Sequence, residues 1–305
     1  MKIAIATRGS ELALWQSEYV KERLLEHYDD LEIELKIFKT TGDKILDKPL
    51  AEIGGKGLFT KELEDAMSRG EAHISVNSLK DMPFELPEGF EISAITERED
   101  VRDALLSEKY ENIDELPHGA VVGTTSLRRK VQILALRPDL KIKELRGNVN
   151  TRIAKLKAGE YDAIILASAG INRLHLEKQV KFVYNIQISE MIPSMGQGAL
   201  AIETTGDPEI VKLVSVLSDE VATIETGIER QFVGKLQGSC SVPIGVNATV
   251  LENDTIITKA VVGSIDGKSL LRDTIIGSTK NWENIGNSLS DRMIGSGALK
   301  LLNLN

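Results

Sequence analysis

The chain has 305 residues, of which 42% are hydrophobic and 27% charged, and its formal charge is −9; this is the composition of a globular protein with room for two or three cored domains. No apolar run reaches the length of a membrane span, and the overall acidity argues against a general nucleic-acid binder. One cysteine excludes an internal disulfide framework, and four scattered histidines without a cysteine pair give no zinc spacing, so no metal is expected.

In chain order, residues 2–6 (KIAIA) read as a buried strand, and Thr7-Arg8-Gly9-Ser10 as a turn. Leu12, Trp15, Tyr19 and Val20 then recur at helical spacing up to about Tyr28. The opening run lacks a signal-peptide cleavage pattern, so a cytoplasmic location is expected. Leu31, Ile33, Leu35 and Ile37 alternate as a second strand. A βαβ start of this kind predicts a mainly parallel sheet, in which ligands bind beyond the carboxyl ends of the strands. Arg8 is expected at such an end. Thr40 to Gly57 has little periodicity and several glycines, so it reads as a long mobile loop, a length that is uncommon without a function.

A helix is predicted near Phe59–Arg69, stopping at Gly70, and a strand over His73–Val76 that breaks at NSLKDMP. Asp81 therefore also lies beyond a strand's carboxyl end, although by itself it could equally be a turn residue before a proline. Phe90–Thr96 is a further strand, and the charged Glu97–Asp100 marks a crossing into a second domain. From Val121 to Arg152 one device occurs twice. An apolar strand runs into a glycine-containing polar turn that carries arginines: GTTSLRR after Ala120–Val122, and RGN after Ile142 and Leu145. Ser126 suits the N-cap of a helix ending near Leu136. Each copy places backbone donors and guanidinium forks at a helix N-terminus, where an anion is favoured. This segment holds eight Lys and Arg against two Asp and Glu, so the basicity is local in an acidic chain.

The buried strand Asp162–Ala167 leads to a third turn and a short helix bearing Arg173. Turn-rich ISEMIPSMGQG then leads to the strand Ala199–Glu203, assigned back to the first domain as a second crossing, and two crossings between two α/β lobes make a hinged cleft. After helical Pro208–Leu217 and Val221–Phe232 come three short strands, Gly245–Leu251, Thr255–Val262 and Ser269–Ile276, an antiparallel meander covered by the helix face of Trp282, Ile285, Leu289 and Met293. Cys240 lies in the open context Gly238-Ser239-Cys240-Ser241. A lone cysteine is usually a small buried apolar residue, but a thiol on an accessible loop near cationic groups is a nucleophile candidate.

Read together, TRGSELALWQ, GGKGLFTKELE, SLKDMP, GTTSLRR, LRGNVNTR and GSCSVPIG resemble, in order and over nearly the whole chain, the motifs of the hydroxymethylbilane synthase (porphobilinogen deaminase) family. The resemblance implies an α/β fold of two hinged periplasmic-binding-protein-like lobes with mainly parallel sheets, plus a C-terminal α+β domain with a three-stranded antiparallel sheet. The implied domains are residues 1–97 with 197–216, residues 98–196, and residues 217–305. It also implies a transferase that joins four porphobilinogen molecules head to tail with loss of ammonia, giving hydroxymethylbilane for porphyrin and haem synthesis. A dipyrromethane cofactor would be attached by a thioether to Cys240. Asp81 would be the catalytic carboxylate. Arg8, Arg128, Arg129, Arg146, Arg152 and Arg173 would hold the carboxylates of cofactor and growing chain, with Ser10, Lys80 and Ser126 assisting, and a lid would include Asp43, Lys56 and Phe59. A monomer without nucleic-acid or membrane partners is expected.

The sequence departs from the family pattern at Asn77, where histidine is usual, at Asn150, where glycine is common, and at Glu52, where lysine is frequent. From the residues alone, a binding module for a dicarboxylate or phosphate ester would also use two lobes with arginines, but it gives no role to Cys240, Asp81 or the third domain. A DNA-binding regulator lacks a helix-turn-helix signal. The substrate's acetate and propionate groups explain the need for many arginines, and loss of ammonia from an aminomethylpyrrole leaves a cationic azafulvene that a carboxylate stabilises.

Overall fold

A computed structural model describes residues 1–44, 59–236 and 242–303. They fall into two compact units, residues 1–99 with 198–223 and residues 100–197 with 224–305.

The first unit opens with β1 (Lys2–Arg8), α1 (Glu11–His27) and β2 (Glu32–Phe38), and β1 pairs in parallel with β2 along its whole length. β1 continues through Thr7 and Arg8, where the sequence pattern suggests a turn. The polar Thr7 can remain in a buried strand because its hydroxyl donates to the Ala13 carbonyl at 3.2 Å and accepts from Ser17 Oγ at 2.7 Å, both on α1. The segment expected as a loop starts instead with a short helix, α2 (Thr41–Lys44), whose Thr41 N–H and hydroxyl donate to Glu62 Oε1 at 2.8 and 2.6 Å. Its continuation lies outside the described residues. α3 (Lys61–Ser68) buries Leu63, Ala66 and Met67. It is followed by β3 (Ile74–Ser78), a 3-10 turn at Leu79–Asp81 and β4 (Glu91–Ile95).

The second unit contains β5 (Asp103–Ser107), β6 (Val121–Gly123), α4 (Leu127–Leu136), β7 (Lys141–Lys143), α5 (Val149–Lys157), β8 (Ala163–Ala167), α6 (Ser168–Arg173) and β9 (Phe182–Asn185). The chain then returns to the first unit as β10 (Leu200–Thr204) and α7 (Pro208–Ser215), and α8 (Glu220–Lys235) leads back. Strands β5 and β9 are absent from the sequence-based reading. DALLS follows directly on the charged crossing, and FVYN is only four residues long.

The two five-stranded sheets share one plan. The first has the order β2-β1-β3-β10-β4 and the second β7-β6-β8-β5-β9. In the first, β10 is antiparallel to both its neighbours; in the second, β5 is. The remaining pairs are parallel, so each sheet is mainly parallel, with one opposed strand where the chain arrives from the other unit.

The second unit also holds the expected meander, β11 (Ile244–Val250), β12 (Thr255–Gly263) and β13 (Leu270–Ser278), antiparallel throughout. α9 (Ile285–Gly295) and α10 (Ala298–Leu301) cover it with Leu289, Met293 and Ala298 against Val246, Ala260 and Val262. This sheet approaches the arginine-bearing helix closely: a Cβ on Gly263 would lie 2.7 Å from Val131 Cγ2 of α4, so only glycine fits without displacement. No helix among the described residues is long and apolar enough to cross a membrane.

Candidate active site

In the first unit, β1 and β3 are parallel neighbours, so Arg8, the last residue of β1, and Lys80 and Asp81, just after β3, share one end of the sheet. Leu79 and Met82 set the geometry of the turn. Three residues apart in a 3-10 turn, they share a face, and both are buried with Ala199 and Ala201. The Met82 N–H closes on the Leu79 carbonyl at 3.1 Å, and the Leu79 N–H bonds the Ala199 carbonyl at 3.0 Å. Asp81 is thereby left exposed and Lys80 half-buried. Ser10 caps α1, accepting from the Ala13 N–H at 3.3 Å. The Arg8 guanidinium carbon sits 4.3 Å from the centre of the Phe59 ring, a cation–π contact. Phe59 also lies against Gly42, where any Cβ would collide with the ring.

On β3, the strand that leads to Asp81, begins a buried polar chain that the sequence did not disclose. Asn77 Nδ2 donates to Ser75 Oγ at 2.8 Å, and Ser75 Oγ donates to Glu203 Oε2 on β10 at 2.8 Å. Burial, reinforced by the nearby Glu64 charge and opposed by the Ser75 bond, pushes the Glu203 carboxyl up to about 7. Glu64 is pushed up too, chiefly by burial.

In the second unit, β7, β6 and β8 are adjacent and parallel, so the loops after them emerge side by side. These loops and the helices they enter carry Ser126, Arg128 and Arg129; Arg146 and Arg152; and Arg173. The first two are tied together by Thr125 Oγ1 donating to the Leu145 carbonyl at 2.5 Å and the Thr124 N–H donating to the Lys143 carbonyl at 3.1 Å. Ser126 is the N-cap of α4, accepting from the Arg129 N–H at 3.4 Å, and Asn148 caps α5, accepting from the Thr151 N–H at 2.8 Å. Gly147 has φ +114°, a conformation that side chains rarely adopt, and its carbonyl accepts from Arg152 Nε at 2.8 Å. Arg146 and Arg152 are half-buried, and Arg173 is buried at the end of α6.

Arg128 and Arg129 are placed differently from an open anion fork. Both are buried, and both bind Asp103, the first residue of β5. Arg128 Nη1 donates to Asp103 Oδ2 at 2.6 Å and to the Ile192 carbonyl at 2.9 Å. Arg129 donates to Asp103 Oδ1 from Nε at 3.0 Å and from Nη2 at 2.8 Å, and to the Ile165 carbonyl from Nη1 at 2.9 Å. Burial pushes the Asp103 carboxyl up, but the two guanidiniums outweigh it and hold the group well below the usual carboxylate range. Burial also lowers Arg129, against the pull of Asp103. Sequence reasoning missed Asp103, whose only signal is a charged residue heading an apolar run. Lys56 and Cys240 lie outside the described residues, as does the side chain of Asp43.

Comparison with known proteins agrees with the motif resemblance. Residues 3–212 match the family model described as "Porphobilinogen deaminase, dipyromethane cofactor binding domain", and residues 223–295 match "Porphobilinogen deaminase, C-terminal domain". The porphobilinogen deaminase of Sulfurimonas denitrificans is 60% identical over 301 residues, covering 99% of this chain and 96% of that protein. That of Aliarcobacter butzleri is 56% identical, with the same coverage of both chains. Among solved structures, a TRAP periplasmic solute-binding protein from Desulfovibrio salexigens is similar over 73% of each chain, with 13% identity and a TM-score of 0.44. At full length and this level of identity, the chain belongs to the porphobilinogen deaminase family.

Proposed function

We propose that this chain is a transferase that condenses four porphobilinogen molecules head to tail, releasing ammonia, to give hydroxymethylbilane, with a dipyrromethane cofactor carried on Cys240. The observation that carries the reading is the set of arginine-bearing loops and helix starts that follow β7, β6 and β8 side by side. Such a donor set fits a cofactor and product whose every ring bears two carboxylates, because charge-assisted guanidinium bonds are strong and directional. When bound, the dipyrromethane supplies the pyrrole end to which substrate units are joined.

The chain's own residues bind, orient and move protons. Arg8, Arg146, Arg152 and Arg173 hold carboxylates, assisted by Ser10, Lys80 and Ser126. Arg128 and Arg129 present what remains of their donors after binding Asp103. Asp81, exposed on a turn fixed by two buried neighbours, suits a group that must meet substrate: it holds a proton at the departing ammonia, stabilises the cationic azafulvene and later accepts a proton from the newly joined ring. The proposal includes a lid containing Asp43, Lys56 and Phe59, a division into residues 1–97 with 197–216, 98–196 and 217–305, a cytoplasmic location and a monomeric state.

The test is turnover by Asp81→Asn and Asp81→Glu, with intact mass confirming the cofactor on each and its absence from Cys240→Ser. Asp81→Asn should fold, carry the adduct and lose about 10²–10⁴ in rate, while Asp81→Glu keeps a small activity. An Asn variant within a few-fold of the parent would remove Asp81 from the chemistry, and an active protein of bare sequence mass would remove Cys240 from cofactor attachment.

A further inference from the structure

Asp103 stands at the entry of β5 with no exposed surface, and its carboxylate is shared by two consecutive arginines. Gln197 Nε2, on the segment returning toward the first unit, donates to the same Oδ1 at 3.1 Å and to the Val101 carbonyl at 2.8 Å. Gln132, one turn along α4 from Arg128, donates to the Ile192 carbonyl at 3.0 Å and accepts from the Ile192 N–H at 2.8 Å, so the carbonyl that receives Arg128 is itself held. A guanidinium has five N–H donors. The bonds from Arg128 and Arg129 to Asp103 and to the two carbonyls use three on each side chain. Two donors on each remain without a partner among the described residues. Their directions are fixed, because a planar fork pinned at three donors cannot rotate.

We propose that Asp103 is a positioning residue for cofactor capture: it locks Arg128 and Arg129 so that their remaining donors present one prearranged site for the cofactor carboxylates, and it sets the charge of the group at +1 instead of +2. The inference rests on the reading that these arginines bind the dipyrromethane. Two unpartnered guanidiniums in a buried site would repel each other and turn toward water, whereas a shared carboxylate holds them together before any ligand arrives. Preorganisation of this kind lowers the cost of ordering the site on binding.

The experiment measures the fraction of folded, purified protein that carries the adduct, by native and denatured mass, for wild type, Asp103→Asn, Arg129→Gln and the double variant Asp103→Asn/Arg129→Gln. Asp103→Asn should lose at least tenfold in loaded fraction among molecules that remain folded by circular dichroism, although Asp103 has only the arginines as a route to the cofactor. Normal loading of folded Asp103→Asn would overturn the proposal. If Asp103→Asn fails to fold, the double variant decides, because it restores the buried charge to +1: it should load several-fold less than Arg129→Gln alone, and equal loading would overturn the proposal. Wild type without the adduct would instead overturn the functional reading on which the proposal rests.

Discussion

Glu203 allows a stability prediction with a definite sign. It lies fully buried on β10, with Oε2 bonded to Ser75 and Oε1 without a partner among the described residues. The titratable group facing it is Glu64 on α3, with Ser75 and Asn77 on β3 completing the polar surroundings. Its carboxyl moves from an ordinary value of 4.5 to about 7 in the folded protein. Below the unfolded value both states hold the proton and the group is neutral toward folding. As pH rises from 4.5 towards 7 the unfolded chain ionises first, so stability falls, and above about 7 the loss is complete. At about 1.36 kcal/mol for each pH interval of one between the two values, the loss is about 3 kcal/mol. Glu203→Gln has no proton to release and still accepts from Ser75, so its stability relative to wild type should improve by about that amount between pH 5 and pH 8. Urea denaturation followed by circular dichroism at pH 5, 6, 7 and 8 measures the difference. A wild-type-to-variant difference that stays constant within about 0.5 kcal/mol over that range would show that Glu203 is ionised in the fold, and the reasoning would be wrong.

Two further substitutions test other contacts. Gly198→Ala places a Cβ against the Glu99 carbonyl at a residue with φ +93°, so it should destabilise by about 2–4 kcal/mol or abolish folding, read by the urea midpoint. Phe59→Leu removes the aromatic face over Arg8, worth about 0.5–1 kcal/mol at a half-exposed site, so KM for porphobilinogen should rise about two- to fivefold with adduct content unchanged; an unchanged KM would leave Phe59 without a role in holding Arg8.

Local signals were readable and distant partners were not. The α1 pattern, the β2 alternation, the Ser126 cap and the meander follow from periodicity and turn chemistry within a few residues, and each is present. β1 was cut short at Ala6 because Thr7 and Arg8 are polar, while the bonds that let Thr7 stay in a buried strand come from α1. The arginine run looked open to any anion because its counter-charge, Asp103, belongs to another strand about 25 residues earlier. Likewise Asn77 could be read only as a departure from a family pattern: its partner Ser75 is two residues away on β3, but the Glu203 that anchors Ser75 is brought in by β10, more than a hundred residues later.

The opposed strand of the first sheet also dictates an order of assembly. β10 lies between β3 and β4, yet it is made about a hundred residues after β4, once the whole second five-stranded sheet has been synthesised. A chain emerging from the ribosome can therefore finish the β5–β9 sheet from contiguous sequence while β3 and β4 still present open edges. Those two strands, joined through residues 79–90, are both antiparallel to β10 and so run parallel to each other on either side of the place it takes. The first unit closes only when β10 inserts between them, so its folding carries a closure over more than a hundred residues, longer in range than the pairings of β5 with β8 and β9 in the second sheet.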